Sequence, residues 1–231
     1  MVYKTPKEVQ VRKDAKRKHI LDTGAKIFAA RGYHGTTVKD IVDEAGISVG
    51  TFYFYFSSKE DLFETLYDEM NEMYRIVLKD AIETISNNPV ESICRAITLA
   101  LLSFQNWNEL ARIMLIESVG LNQRFEAKRL ANNTRFSKII EDVLQDLMDR
   151  GVISLPNAHV AAMSFMGSVY TMIIDWLQGD GKTSATEFAY PLAVYNLRAL
   201  CMDIDNDTVK EIVDRTLKEN GKKQIGGEES C

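Results

Sequence analysis

The 231-residue chain has little of several things that usually announce a function: three cysteines, three histidines, four prolines and two tryptophans. Cys94, Cys201 and Cys231 are odd in number, widely separated and without a Cys-x-x-Cys pair, and His19, His34 and His159 lie scattered between them. Such spacing supplies neither a disulfide framework nor a zinc site. Reduced thiols in a cytoplasmic protein are therefore the expectation. No uninterrupted apolar run reaches the roughly 18 residues needed to span a bilayer, and the N-terminus runs into charge instead of an apolar signal core. No membrane partner and no secreted precursor are expected. Nothing gathers a nucleophile, a base and oxyanion donors, and there is no Gly-rich phosphate loop, so no enzyme, cofactor or metal is expected. Alternating strand patterns, repeats and low-complexity tracts are missing too. What remains, 45% hydrophobic and 26% charged residues, fits a globular all-α protein of one or two domains.

The formal net charge of −5 conceals an asymmetry. Up to Ser58 there are ten Lys/Arg against six Asp/Glu, and beyond it eighteen against twenty-seven. The first part is thus +4 and the rest −9, with Lys4, Lys7, Arg12, Lys13, Lys16, Arg17 and Lys18 forming a basic arm. A basic end on an acidic protein points to a polyanion partner there, although a merely solvated tail has the same composition.

Helical periodicity runs through the chain. Ile20, Leu21, Ala25, Ile27 and Phe28 mark a first helix over residues 12–31, with Gly32 at its C-cap. Thr36 and Thr37 offer N-caps for a short second helix that stops at Gly46, and Ser48 caps a third over 49–55. Ser57-Ser58-Lys59-Glu60 supplies a capping box for a long fourth helix ending at Asn87-Asn88-Pro89. Asn88, Pro89 and Glu91 restart the chain as a fifth helix to about 106, and a sixth runs to about Gly120. A seventh spans 122–150. The eighth, opened by Pro156-Asn157, is apolar around most of its circumference from 160 to 177, and the ninth, over 185–202, is similar. A weaker segment carries Val209, Ile212, Val213 and Leu217, and the tail 221–231 has nothing to pack.

Residues 38–56 have the pattern of a helix-turn-helix: Ile41 and Ala45 face inward, Gly46 supplies the positive φ of the turn, and Phe52 anchors a second helix whose other face stays free for a major groove. Ordinary helical hairpins share that spacing. The longer run is more specific: Ala25-x-x-Phe28-x-x-Arg31-Gly32-Tyr33, Thr36-Thr37-Val38-x-x-Ile41, then Ala45-Gly46-Ile47-Ser48-x-Gly50-Thr51-Phe52-Tyr53-x-Tyr55-Phe56-x-x-Lys59-Glu60-Asp61-Leu62. It resembles the DNA-binding domain of the TetR family of bacterial transcriptional regulators, over about the first quarter of the chain. Val42, where many members carry Ala, is a small departure.

The resemblance implies a DNA-binding domain over 1–58 and a larger helical ligand-binding and dimerisation domain over 59–220. Position by position, it implies that Thr37, Thr51, Tyr53, Tyr55 and Lys59 touch DNA phosphates while Lys39, Val49, Gly50 and Phe54 lie nearest the base edges of double-stranded operator DNA. For Tyr53 and Tyr55 core packing is the competing reading. The arm 4–18 is expected to add phosphate or minor-groove contacts. Helices eight and nine resemble the region through which such proteins form homodimers, with Phe165, Val169, Ile173, Trp176, Leu192 and Tyr195 at the interface. The resemblance also implies a cavity for a small hydrophobic effector whose binding shifts the fourth helix. Candidate lining residues are Met70, Met73, Tyr74, Phe104, Trp107, Asn108, Met114, Phe136, Met166 and Tyr170, for each of which plain core is the competing reading. Gln105, Arg112, Glu117, His159 and Asp175 are further polar candidates to orient a ligand. A ligand-released repressor is the expected function. The alternative is a DNA-binding interaction protein of the same fold that answers to a protein partner or to DNA itself and not to a small molecule; a filled core would favour it.

Overall fold

In the computed structural model, residues 7–83, 88–179 and 181–225 are described, and among them every regular element is helical. The order is α1 (Lys7–Arg31), α2 (Val38–Ala45), α3 (Val49–Tyr55), α4 (Lys59–Glu83), α5 (Pro89–Asn106), α6 (Asn108–Arg112) with a π-helical turn (Ile113–Glu117), α7 (Gln123–Asp149), α8 (Ala158–Gln178), a 3-10 turn (Ala185–Phe188), α9 (Ala189–Ala199) and α10 (Asn206–Ile225).

The chain divides into two compact units. The first holds the described residues up to Asn71 together with Glu109–Leu121, and the second holds Glu72–Asn108 and the described residues from Asn122 onward. The boundary expected after Ser58 falls instead inside α4, because Leu62, Phe63, Leu66, Tyr67 and Met70 are all buried and extend the core begun by α1. Local chemistry starts and stops the helices of this unit. Thr37 accepts from the Asp40 amide at 3.2 Å while Asp40 reaches back to the Thr37 amide at 2.8 Å, a closed capping box for α2. Ser48 accepts from the Thr51 amide at 3.1 Å at the start of α3. Gly46 ends α2 at φ 62°, where a side chain would be strained. At α4 the cap is shifted by one residue from the expected Ser57 and Glu60: Ser58 accepts from the Asp61 amide at 3.1 Å, and the Asp61 carboxylate takes the Ser57 amide at 2.7 Å. Helix α1 is already formed at Lys7, the first described residue and ahead of the start expected at Arg12, since Lys, Arg, Glu and Gln are good helix formers. Lys4 lies outside the described residues.

In the second unit, α7 packs on α8, and α5 lies against α9 and α10. Ile97, Leu101, Phe125, Leu147, Ala162, Ile173 and Leu197 form its core. Buried polar groups are bonded: Asn196 accepts from the Ser168 hydroxyl at 2.9 Å, joining α8 to α9, and donates to the Leu192 carbonyl at 2.9 Å. Burial pushes the Cys94 thiol up to about 12, which leaves it a small hydrophobe. The ninth helix is divided, with a 3-10 turn before Pro191 in the first turn of α9, where its missing amide costs nothing. Helix α10 continues to Ile225, into the tail expected to be unstructured, and 226–231 lie outside the described residues.

Helix α8 has no long unbroken apolar run, yet it is apolar on average over its length. It is 21 residues long with a window of mean hydropathy 1.4, long and apolar enough to cross a membrane by length and composition. Interspersed Ser, Gly and Thr hide this from a search for unbroken apolar runs. Ala162, Val169, Ile173 and Leu177 are buried on one face, and only 22% of the window is buried within the chain. The remaining apolar surface calls for a cover.

Candidate nucleic-acid interface and regulatory core

Helix α3 owes its two faces to a four-residue step. Phe52 and Phe56 are 0% and 1% exposed and fix the helix to the unit, with ring centroids 6.0 Å apart. Val49 and Tyr53, and Gly50 and Phe54, are the i,i+4 pairs on the other side, and Val49, Tyr53 and Phe54 are 50%, 54% and 65% exposed. Three large apolar side chains side by side on a seven-residue helix are an unusual exposure for a monomer surface. Their chemistry suits thymine methyls and sugar edges in a major groove. Tyr55 is half-buried, with its ring edge-on to Phe54 at 4.9 Å. The Lys13 ammonium borders this face, 5.6 Å from the Phe54 ring, while the Arg17 guanidinium lies 5.1 Å from the ring of the buried Phe56. Both come from the basic stretch of α1.

The other proposed DNA contacts have partners inside the unit. Lys39, 82% exposed, pairs with Asp43 at 2.9 Å, and that hydrogen bond holds its ammonium above its ordinary pKa. Thr51 shares a 2.8 Å hydrogen bond with Ser48. The Thr37 hydroxyl donates its single hydrogen to Asp40 at 2.6 Å, so it has none left for a phosphate while the cap is closed. Lys59 donates to the carbonyls of Tyr33 and Thr36, both at 2.7 Å, and sits 4.1 Å from the Tyr33 ring centroid. Desolvation lowers its pKa. Two of its three N–H donors therefore hold the turn between α1 and α2, a structural duty that spacing alone does not reveal.

The second unit brings part of the proposed lining together. Tyr74 meets Phe104 at 5.5 Å and Phe136 at 4.8 Å, and burial pushes its phenol up to about 12. Beside it lies a cavity of about 20 Å³, lined by Tyr74, Leu78, Ile97, Ile140, Phe165 and Met166 among others. That is room for about one water. Met73 and Tyr170 are half-buried and not among its lining residues, and Trp107 and Asn108 are exposed. Met70 and Met114 are buried in the first unit. Of the polar candidates, Gln105 accepts from the Ser184 hydroxyl, His159 pairs with Glu141 at 2.7 Å, Asp175 is exposed, and Glu117 accepts from the Tyr33 amide at 3.2 Å. Arg112 is half-buried.

Comparison with known proteins converges on one group. The model of bacterial regulatory proteins of the tetR family matches residues 20–66, and the tetracyclin repressor-like C-terminal domain matches 86–200. The chain belongs to the TetR family. It is similar to the HTH-type transcriptional repressor KstR2 of Mycobacterium tuberculosis, 29% identical over 54% of this chain and 58% of that protein's length. The chain thus matches little more than half of that relative. It is also similar to the fatty acid metabolism regulator protein of Bacillus subtilis, 24% identical over 74% of this chain and 88% of that one. The structure of the transcriptional regulator FadR from Bacillus subtilis in complex with stearoyl-CoA shares the fold, with a TM-score of 0.66 and 21% identity over 78% of this chain and 96% of that one. TetR-family proteins are DNA-binding transcription factors and not enzymes.

Within this TetR-family chain the six residues proposed for the dimer interface do not share one face. Val169, Ile173 and Leu192 are buried inside the single chain. They have little surface to offer a partner, because a helix apolar all round gives no sequence clue to which face turns inward. Trp176 is half-buried and donates to the Thr183 carbonyl at 2.9 Å. Phe165 is half-buried, and Tyr195 is 62% exposed. On α8 and α9 the exposed large apolar side chains are Val160, Met163 and Tyr195, and Val160 and Tyr195 line an open groove of about 450 Å³ together with Pro156, Phe165 and Leu200.

Proposed function

We propose that the protein is a ligand-responsive transcriptional repressor acting in the cytoplasm. A homodimer binds a palindromic operator through the exposed face of α3, and an apolar effector releases it. The observation that carries the reading is the outward row of Val49, Tyr53 and Phe54, anchored by the buried Phe52 and Phe56 and with the Lys13 ammonium beside Phe54. An aromatic and aliphatic row with a basic neighbour suits a duplex better than it suits water. Two copies double the few bases a short helix reads, and the groove beside Val160 and Tyr195 is the surface the second copy covers.

For the effector, a long-chain acyl thioester is favoured by the apolar surroundings of Tyr74 and by the likeness to a regulator bound to stearoyl-CoA. The cavity of about 20 Å³ means that such a molecule must part the helices on entering, with Met166 and Phe165 the adaptable walls. The same small volume favours a second reading, control by a protein partner with no small molecule. Selection of random duplexes at physiological salt, followed by challenge with stearoyl-CoA and then a small-molecule cell extract, separates the two. A palindromic site released by either challenge supports the sensor. Sequence-specific binding indifferent to both supports partner control, and absence of any preferred sequence overturns the operator reading.

A further inference from the structure

The turn between α1 and α2 is held from two sides by opposite charges. Gly32 closes α1 at φ 73°, its amide bonded to the Phe28 carbonyl at 2.8 Å, and Tyr33 follows with its ring packed against Phe28 and Phe63. The Lys59 ammonium takes the Tyr33 carbonyl. The Glu117 carboxylate takes the Tyr33 amide at 3.2 Å and lies where a side chain on Gly32 would stand, 3.0 Å from the position of a Cβ. One residue of the turn that launches the helix-turn-helix therefore has its amide held by Glu117 and its carbonyl by Lys59.

Glu117 is not part of the DNA-binding motif in sequence. It belongs to Glu109–Leu121, which joins the first unit although the chain on both sides of it, up to Asn108 and from Asn122, belongs to the second. It is also the last residue of the π-helical turn, closed by the Ser118 amide on the Ile113 carbonyl at 3.0 Å. A π turn is an uncommon arrangement that gathers at functional sites, and tightening it to α shifts the register by one residue, a rotation of roughly 100°. Such a shift would carry the carboxylate off the Tyr33 amide, and the turn at Ser118–Leu121 can absorb the slack.

We propose that Glu117 is a regulatory positioning residue: its carboxylate on the Tyr33 amide latches the α1–α2 turn in the operator-binding form, and effector binding releases the latch through the π-helical turn. The assignment of the latched form to operator binding rests on the repressor reading above. The latch makes the segment Glu109–Leu121 a route of regulation beside α4, whose residues are shared between the two units.

The test compares Glu117→Ala with Glu117→Gln, whose amide oxygen still accepts from Tyr33, on the selected operator. Loss of a charge-assisted hydrogen bond predicts an operator affinity lowered about tenfold in Glu117→Ala and largely restored in Glu117→Gln. Amide hydrogen exchange at Tyr33 is the second readout: protection in the free and operator-bound protein, lost on release by stearoyl-CoA and lost in Glu117→Ala. Wild-type affinity in Glu117→Ala, equal loss in both variants, or continued Tyr33 protection in effector-released protein overturns the latch. If stearoyl-CoA fails to release the wild-type protein, the acyl-thioester reading falls, and release is read with the small-molecule cell extract instead; Tyr33 protection lost in the extract-released protein supports the latch, and protection kept there, or no release by either, overturns its regulatory role.

Discussion

The two units of this protein are stabilised in different ways. In the first, side chains with hydrogen-bonding groups are tied to backbone at defined points: Thr37 and Asp40 at α2, Ser48 at α3, Lys59 and Glu117 at the α1–α2 turn. The second has such ties as well, Asn122 at α7, Asn157 at α8 and Asn196 between α8 and α9, but it also carries α8, most of whose apolar length is not buried within the chain. Directional contacts specify one geometry, whereas apolar packing of this kind tolerates rearrangement at lower cost. Under the reading proposed above, the contrast suits a unit that presents α3 in one orientation and another that opens around a guest.

The largest effect that would sharpen this contrast is at Phe52. Phe52→Ala removes a fully buried ring from the small core behind α3 and is expected to cost about 3–5 kcal/mol, abolishing operator binding while α8 and α9 stay folded. Hydrogen exchange resolved by segment checks this, and intact operator binding would show that α3 does not depend on its anchor. Next come the two faces of α8 and α9. Tyr195→Glu should weaken the dimer by roughly 2 kcal/mol or more, about 30-fold, with little change in helical content, while Ile173→Glu should unfold the second unit. Sedimentation equilibrium with circular dichroism separates the outcomes, and a dimer unaffected by Tyr195→Glu would move the interface elsewhere.

Smaller effects probe the directional contacts. Lys59→Ala removes donors from two carbonyls and should lower the stability of the first unit by about 2 kcal/mol, more than loss of a single phosphate contact would weaken binding. A melting temperature unchanged beside a weakened operator complex would restore Lys59 to the role of a phosphate contact alone. Thr37→Ala should cost about 1 kcal/mol of α2 stability as a lost cap. It should also change the acid limb. Hydrogen bonds from Thr37 hold the Asp40 carboxyl below its usual range, so Asp40 contributes stability above its unfolded pKa near 3.8 that is lost as pH falls through the lower folded value. Thermal melts from about pH 6 down to about pH 3 should show a flatter acid limb in Thr37→Ala than in the wild type.

Much of the first unit was legible because its signals are local. Gly32, Gly46, Thr37 and Ser48 each act within four residues, and the pattern around Phe52 shows which side of α3 turns inward. Partners distant in the chain were not legible. Glu117 stands 84 residues from Tyr33, and its polar character among apolar neighbours fits a ligand contact as well as it fits a latch. Lys59 resembled a phosphate contact because spacing cannot show that its ammonium reaches 26 residues back to the Tyr33 carbonyl. In the second unit, Val169 and Ile173 could not be told from Val160 and Met163, since all four are apolar residues of one helix. The cavity was equally out of reach, because its volume depends on how Tyr74, Phe165 and Met166 interlock and not on what they are.

By itself, then, the sequence determined the all-helical class, most of the caps, the helix-turn-helix and the family, because caps, periodicity and short turns depend on neighbours within a few residues. Only the tertiary structure decided that the first unit runs into α4 and takes in Glu109–Leu121, that Lys59 and Glu117 hold one turn between them, and which face of α8 is left bare. Those outcomes depend on groups far apart in the chain finding one another, and their free energy exists only once the chain has folded around them.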